Sequence, residues 1–394
     1  MHSPALAAGL PRVLLYVVND PGVFLSHRLV FARAARDHGW AVHVATPVGP
    51  DVVHVAAEGF THHPISLSRR GMKPSEELRT LWDLIRLFRR LRPTVVDCAT
   101  IKPVLYGGVA AWTTGVAGLV QAITGLGHVF ADTGPGSSLR RGLVRAAYVA
   151  AFHHPNSRVV CQHAEDRDRL GFALRPGQAA LIPGSGVDPA RFHDEPEPDG
   201  PLLVLLAGRM LWTKGVADFV AAAGLLRARG VDARFVLVGD PDPGNPASIP
   251  ESTLLGWSAG GDVEWWGRRR DMPAIMRSVS VVCLPTFYGE GVPKVLVEAA
   301  ASGRPIVATD WPGCRDIVRH GWNGTLVPPR DVAALADALG AMLADRDLRS
   351  QMGARGRHLA LSRFTEAHVV DSVLRVYDEL VPGGSAVALH GQTA

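Results

Sequence analysis

Short apolar, β-branched runs alternate with longer amphipathic segments along almost the whole chain. Residues 12–18 (RVLLYVV), 40–45, 94–98, 119–123, 158–162 and 179–182 predict strands. Between them, residues 24–38, 75–91, about 106–115 and 140–152 predict helices, the first with Leu25, Leu29, Ala32 and Ala35 near helical spacing. Strands that alternate with helices imply βαβ units and a parallel sheet covered on both faces. The rhythm stops at 193–201, where three prolines and four acids fall among nine residues and predict an interdomain linker. It resumes with strands predicted over 202–207, 234–238, 262–266, 279–284, 305–308 and 325–327. Val369, Val373, Val376 and Leu380 mark one face of a last amphipathic helix, and the Gly/Ser/Ala-rich tail after Pro382 reads as loose. The chain therefore reads as α/β, with two doubly wound domains on either side of a cleft. In open α/β sheets ligands bind beyond the carboxyl ends of the strands, so chemistry is sought in the loops that follow strands.

Composition narrows the class. With 394 residues, 47 % hydrophobic and 20 % charged, the chain can bury a large core, which excludes a disordered chain or a disulfide-stapled miniprotein. The net charge of +4 is unevenly spread: residues 1–195 hold 21 Lys and Arg against 15 Asp and Glu, and the remainder 20 against 22. The N-terminal half is thus the one expected to meet something anionic. Cys98, Cys161, Cys283 and Cys314 form no CxxC pair, lie in or near apolar runs, and read as small core residues. No secretion signal is expected, because Ala5–Leu10 lacks a basic flank and Val13–Val18 is too short. Residues 103–131 carry no charge, yet six glycines break them, so a buried helix and strand are expected there rather than a membrane span.

The strongest chemical signal is the segment from Phe287 to Ala300, FYGEGVPKVLVEAA, after the predicted strand at 279–284. Pro293 suits a first helical turn. Glu290 then lies in the loop before the helix, and Glu298 inside it. Free N–H groups near Gly291, Val292, Pro293 and Lys294, with the helix dipole, make an anion site between the two acids. An acid at each end of a phosphate site matches an elongated ligand with hydroxyls at both ends, such as a nucleotide-sugar. The second signal is Gly208-Arg209-Met210-Leu211-Trp212-Thr213-Lys214-Gly215, directly after the strand predicted at 202–207. Gly208 permits close backbone approach, while Arg209 as a fork and Lys214 as a point charge suit a diphosphate and stabilise its departure.

Together these segments resemble the retaining glycosyltransferases of family 4. Gly303–Thr309 and Gly321–Val327 extend the likeness through the C-terminal domain. The resemblance implies a GT-B fold: an acceptor-binding domain at 1–192, a nucleotide-sugar domain at 201–365, and a helix near 366–381 that crosses back to the first domain. It implies Glu290 beside the sugar hydroxyls, Glu298 on the ribose, and Arg209 and Lys214 on the donor diphosphate. Glu290, Lys214 and Arg209 are the catalytic candidates; Gly208, Gly267, Arg268, Gly291, Val292, Pro293, Lys294 and Glu298 complete the donor set. In the N-terminal half, Asn19–Arg28, Thr100–Gly108 and Thr124–Gly127, together with Gly184–Asp188 and Gly239–Pro246 further on, resemble a bacterial subgroup that extends polyprenyl-diphosphate-linked saccharides. That likeness implies a UDP-sugar donor, often a UDP-N-acetylhexosamine, and a hexosyltransferase on the inner face of the cytoplasmic membrane. Gly22, His27, Arg28, Lys102, Thr124 and His128 are the acceptor-binding candidates, with His27, Arg28 and Lys102 suited to an acceptor diphosphate. Many family members carry a histidine close to the reacting sugar; here His27 and His128 both compete for that place.

Eight basic residues from Arg69 to Arg92 surround an apolar set of Leu78, Leu81, Trp82, Leu84, Ile85, Leu87 and Phe88. Such a helix suits an anionic membrane surface, or it packs on the sheet with its arginines solvated. Other chemistries find little support. The glycines at 125 and 127 lack the third of a dinucleotide loop, and neither a phosphate-binding GxxxxGK[ST] loop nor a GxSxG elbow occurs. Of three Asp-x-Asp pairs only Asp240-Pro241-Asp242 follows a strand and could face the cleft; the resemblance implies that no catalytic metal is needed and Arg209 and Lys214 already supply the charge, so no metal and no cofactor are expected, and nothing points to nucleic acid. The rival readings are a UDP-sugar 2-epimerase or phosphorylase of the same architecture, and a non-catalytic subunit of a glycosylation complex.

Overall fold

The computed structural model describes residues 12–68, 73–125, 137–289 and 291–381. The chain divides into two compact units. Among the described residues the first is built from the chain up to Thr124, its continuation through Ile182, and the C-terminal stretch from Val370; the second is built on Pro183–Val369.

The first unit holds seven parallel strands: β1 (Val13–Val18), β2 (Ala41–Thr46), β3 (Thr61–Pro64), β4 (Val95–Ala99), β5 (Gly118–Ile123), β6 (Ser157–Cys161) and β7 (Ala179–Leu181). Their order is β3-β2-β1-β4-β5-β6-β7, so the chain reverses direction across the sheet between β1 and β4. β4 and β5 are buried at every position, and β1 at all but Val13. Burial on both faces explains why these strands read as unbroken apolar runs rather than as alternations. The helix expected over 24–38 is two, Pro21–His27 and Leu29–Asp37, because Arg28 leaves helical geometry at φ −120°. The uncharged 103–131 stretch supplies the helix Ile101–Thr114 and β5. Among the described residues, no helix is long and apolar enough to cross a membrane.

The second unit holds six parallel strands: β8 (Leu202–Ala207), β9 (Ala233–Val238), β10 (Glu264–Trp265), β11 (Val281–Leu284), β12 (Ile306–Thr309) and β13 (Gly324–Val327). Their order is β10-β9-β8-β11-β12-β13, with the reversal between β8 and β11. β8 shows how one strand feeds two helical layers. Leu203, Leu205 and Ala207 join one buried cluster, while Val204 and Leu206 join the other. Both units are thus Rossmann-like, as the GT-B class requires.

Two expectations change in the fold. The acidic run at 193–201 does not swing free. Glu197 pairs with the buried Arg349 at 3.0 Å, which also donates to the carbonyls of Met342 and Leu343. Asp194 pairs with Arg357, Glu195 with Arg277 and Asp199 with Arg346. Val187 and Phe192 lie in the core of the second unit. The divide therefore falls between Ile182 and Pro183, ahead of the expected domain end at 192. Pro293 is also not inside the first helical turn: it caps the helix Lys294–Ala301 from outside, at ψ 119°.

The last helix, Glu366–Leu380, begins in the second unit and ends in the first. Its face of Val369, Val373, Val376, Tyr377 and Leu380 is buried. The Tyr377 hydroxyl donates to Asp97 Oδ2 on β4 at 2.7 Å and lies 2.9 Å from the Tyr16 hydroxyl on β1. Asn156 Nδ2 closes the end by donating to the Leu380 carbonyl at 2.9 Å.

Candidate functional site

In the second unit, four strand ends meet through backbone bonds. Gly208 N, after β8, donates to Val238 O; Gly239 N, after β9, donates to Gly267 O, after β10. Trp265 Nε1 fixes the same loop by donating to Gly239 O at 2.8 Å. The segment after β8 then folds into a 3-10 turn, Trp212–Lys214. Gly215 ends that turn at φ +72°, and a Cβ there would lie 2.0 Å from Pro285 O. Only glycine allows the turn this close to the end of β11. Thr213 O accepts from both Thr286 Oγ1 at 3.2 Å and Phe287 N at 3.1 Å. These bonds hold the turn carrying Lys214 against the loop that leads to residue 291.

Lys214 is half-buried, and its side chain runs past Gly208, where an added Cβ would meet its Cδ at 3.4 Å. Arg209 points into solvent and is held by Asp242 Oδ2 at 2.8 Å. The Asp-x-Asp pair after β9 therefore serves the arginine: Asp242 takes the guanidinium, and Asp240 O accepts from Met210 N. Among the described residues no group of three His, Cys, Asp or Glu side chains is close enough to hold a metal ion. Gly267 sits at φ +64° beside Asp240, with Arg268 exposed next to it.

The helix Lys294–Ala301 begins with no side-chain cap. The positive end of the helix dipole at this terminus favours an anion. Gly291, Val292 and Pro293 are buried directly before it, and Lys294 is half-buried. Glu298, one helical turn further on, is hemmed in by the fold. This pushes its carboxyl up to about 7; Lys294 and Arg191 pull it back, and Glu366 adds to the rise. Burial thus favours the protonated form of Glu298 more than for an ordinary carboxylate. Glu290 lies outside the described residues.

The candidates of the first unit are less uniform. Gly22 N is engaged, donating to Asp20 Oδ1 at 2.8 Å in the cap of the helix Pro21–His27. His27 is exposed at the end of that helix, whereas Arg28 is buried at 6 % exposure and stacks on Phe31. Thr124 is half-buried after β5, and His128 lies outside the described residues. Lys102 is not an open cation: it is bonded to Glu77 Oε1 at 2.6 Å, and Tyr106 donates to the same carboxylate. Glu77 comes from the helix Pro74–Leu91, which packs on Ile101–Thr114, and no sequence spacing announces that pairing.

Residues 13–157 match the family model described as Glycosyl transferase 4-like, and residues 201–345 match Glycosyl transferases group 1. The chain belongs to these glycosyltransferases. The glycosyltransferase is 24 % identical, over 91 % of its length and 98 % of the relative's, to the N,N'-diacetylbacillosaminyl-diphospho-undecaprenol alpha-1,3-N-acetylgalactosaminyltransferase of Campylobacter jejuni. It is 24 % identical, over 79 % of its length and 82 % of the relative's, to the UDP-Gal:alpha-D-GlcNAc-diphosphoundecaprenol alpha-1,3-galactosyltransferase of Escherichia coli. Among solved structures, the Anabaena protein HepE in complex with UDP and glucose superposes with a TM-score of 0.74 at 17 % identity, covering 92 % of this glycosyltransferase and 98 % of HepE. That likeness places the fold in the GT-B class.

Proposed function

We propose that this glycosyltransferase moves a hexose or N-acetylhexosamine from a UDP-sugar to a saccharide carried on polyprenyl diphosphate, with retention at the anomeric carbon. One observation carries the donor half: Thr286 and Phe287 tie the Lys214 turn beside the loop leading to the uncapped helix Lys294–Ala301. A diphosphate there would be met by a half-buried cation and the positive end of the helix dipole, which stabilise the charge that develops as it leaves. Arg209 adds a second cation once the ligand competes with Asp242 for it. Glu298 accepts the ribose hydroxyls, Glu290 orients the sugar, and Gly267 and Arg268 border the base.

No side chain is assigned as a nucleophile. The acceptor hydroxyl attacks the anomeric carbon on the face the diphosphate leaves; the C–O bond to phosphate breaks as the new C–O bond forms. The acceptor proton passes to the departing phosphate oxygen. The cations that Arg209 and Lys214 supply do the work a metal would do, so none is needed.

The acceptor half rests on the relatives' substrates and on the surface of the first unit. Leu78 and Trp82 project from the basic helix Pro74–Leu91 at 67 % and 56 % exposure. One turn apart on a basic helix, they suit peripheral contact with an anionic lipid surface on the cytoplasmic side. The test incubates purified protein with a panel of UDP-sugars and polyprenyl-diphosphate-linked saccharides. Transfer to lipid is expected for one pairing, with turnover by Lys214→Ala lower by a factor on the order of 100–1,000; conversion of the UDP-sugar without acceptor would favour the epimerase instead.

A further inference from the structure

Four buried side-chain atoms that lack a hydrogen-bond partner belong to residues at the adjacent ends of β1 and β4 or electrostatically coupled to them: Asn19 Oδ1, Arg28 Nε, Asp97 Oδ1 and Thr100 Oγ1. Buried polar atoms are nearly always paired, so such a set calls for a cause. Its place is informative. Val18 pairs with Ala99 at the ends of β1 and β4, so Asn19 and Thr100 are the next residues on two adjacent strands. This is where the strand order of the sheet reverses, the position at which open α/β sheets take ligands.

Thr100 is unusual twice over. It sits at φ +77°, ψ 162°, a region almost reserved for glycine. It also occupies the N-cap of the helix Ile101–Thr114, yet its hydroxyl makes no capping bond. A threonine at an N-cap ordinarily accepts from the first turn. Here that bond is not made. Arg28 breaks the helix that the sequence would otherwise continue, and it is buried near Asp97 without forming an ion pair with it. Asp97 is held in place from behind by Tyr377 of the last helix.

We propose that Asn19, Arg28 and Thr100, backed by Asp97, form a subsite that reads hydroxyl groups on the sugar of the acceptor. This rests on the lipid-linked acceptor reading above and reassigns Arg28 from the acceptor diphosphate to its sugar. The chemistry of the set decides the ligand class. A guanidinium N–H donates, an amide oxygen and a carboxyl oxygen accept, and a hydroxyl does both. A sugar hydroxyl also does both, so it satisfies donor and acceptor atoms together. A phosphate offers acceptors and negative charge, and would face the carbonyl of Asn19 and the carboxyl of Asp97.

The test compares binding of two probes: polyprenyl diphosphate bearing N-acetylglucosamine, and bare polyprenyl diphosphate. The wild-type protein is expected to prefer the glycosylated lipid roughly tenfold, about the worth of one or two hydrogen bonds. Thr100→Val and Asn19→Ala should lose most of that preference and keep their affinity for the bare lipid, while Thr100→Ser should retain it. If the variants keep the full preference, or the wild type binds both lipids equally, the subsite is refuted and the lipid-acceptor reading stands. If the wild type binds neither lipid but still consumes a UDP-sugar on a soluble acceptor, the lipid reading itself fails and the subsite falls with it.

Discussion

The two Rossmann-like units finish their switch points differently. In the second unit, glycines at 208, 215, 239 and 267 let four loops close on one another, and backbone bonds fix them. In the first unit, the corresponding strand ends leave polar side-chain atoms buried and unpartnered around a strained threonine. The first arrangement suits a ligand common to many enzymes, recognised through backbone and charge. The second suits a ligand particular to this enzyme, recognised by side chains held ready without partners.

Lys214→Ala should have the largest effect. Turnover should drop by a factor on the order of 100–1,000, as when an electrostatic stabiliser of a leaving group is removed. Steady-state kinetics with the circular dichroism spectrum unchanged would establish it, and near-wild-type turnover would break the account of the second unit.

Glu298→Gln comes next, with two opposed effects. The variant should bind UDP about tenfold more weakly by calorimetry, because the ribose loses an ionised acceptor. It should also be more stable at high pH. The folded carboxyl titrates near 7, above its ordinary value, so between those two values the native state binds the proton more tightly than the unfolded chain. This contribution is present at acidic pH and is lost as pH rises through 7. The melting temperature of Glu298→Gln should therefore exceed that of the wild type at pH 8, and the difference should shrink as pH falls and vanish below the ordinary carboxyl value.

Thr100→Gly should sharpen the comparison from the other side. Relief of the positive φ should raise the melting temperature by a few degrees, as strain of about 1–3 kcal/mol implies. Discrimination for the glycosylated acceptor should weaken at the same time, and a lowered melting temperature would contradict the strain argument. Asp242→Asn should do least. Its partner Arg209 is more than half exposed, which screens the pair, and the amide keeps the shape of the largely buried Asp242, so the melting temperature should fall by no more than a few degrees and the KM for UDP-sugar should move less than about threefold.

The sheet of each unit was largely legible in the sequence, since strands buried on both faces announce themselves as apolar runs. The misses have physical reasons. The helix Arg346–Arg363 packs partly through Gly353, where an added Cβ would lie 2.0 Å from Gly303 O, so its contact face carries a glycine where an apolar side chain would show the period. The helix Val52–Ala57 is rich in β-branched valine, and β3 reads THHP; neither shows its own period. In the site, Gly208, Lys214 and Glu298 stood out because the loop and helix that hold them are local in sequence. The pairings of Arg209 with Asp242 and of Lys102 with Glu77 cross 33 and 25 residues, so only the fold brings them together. Asn19 and Thr100 lay within the segments that drew attention, but their unpartnered atoms and the strain at Thr100 exist only in three dimensions.

The most direct test of the central claim is the product of the purified enzyme given a UDP-sugar and a polyprenyl-diphosphate-linked saccharide, with the new glycosidic bond read by NMR. The account predicts one UDP released per sugar transferred, and an anomeric configuration in the lipid-linked product equal to that of the donor. An inverted linkage, or UDP-sugar consumed with no sugar added to the lipid, would contradict it.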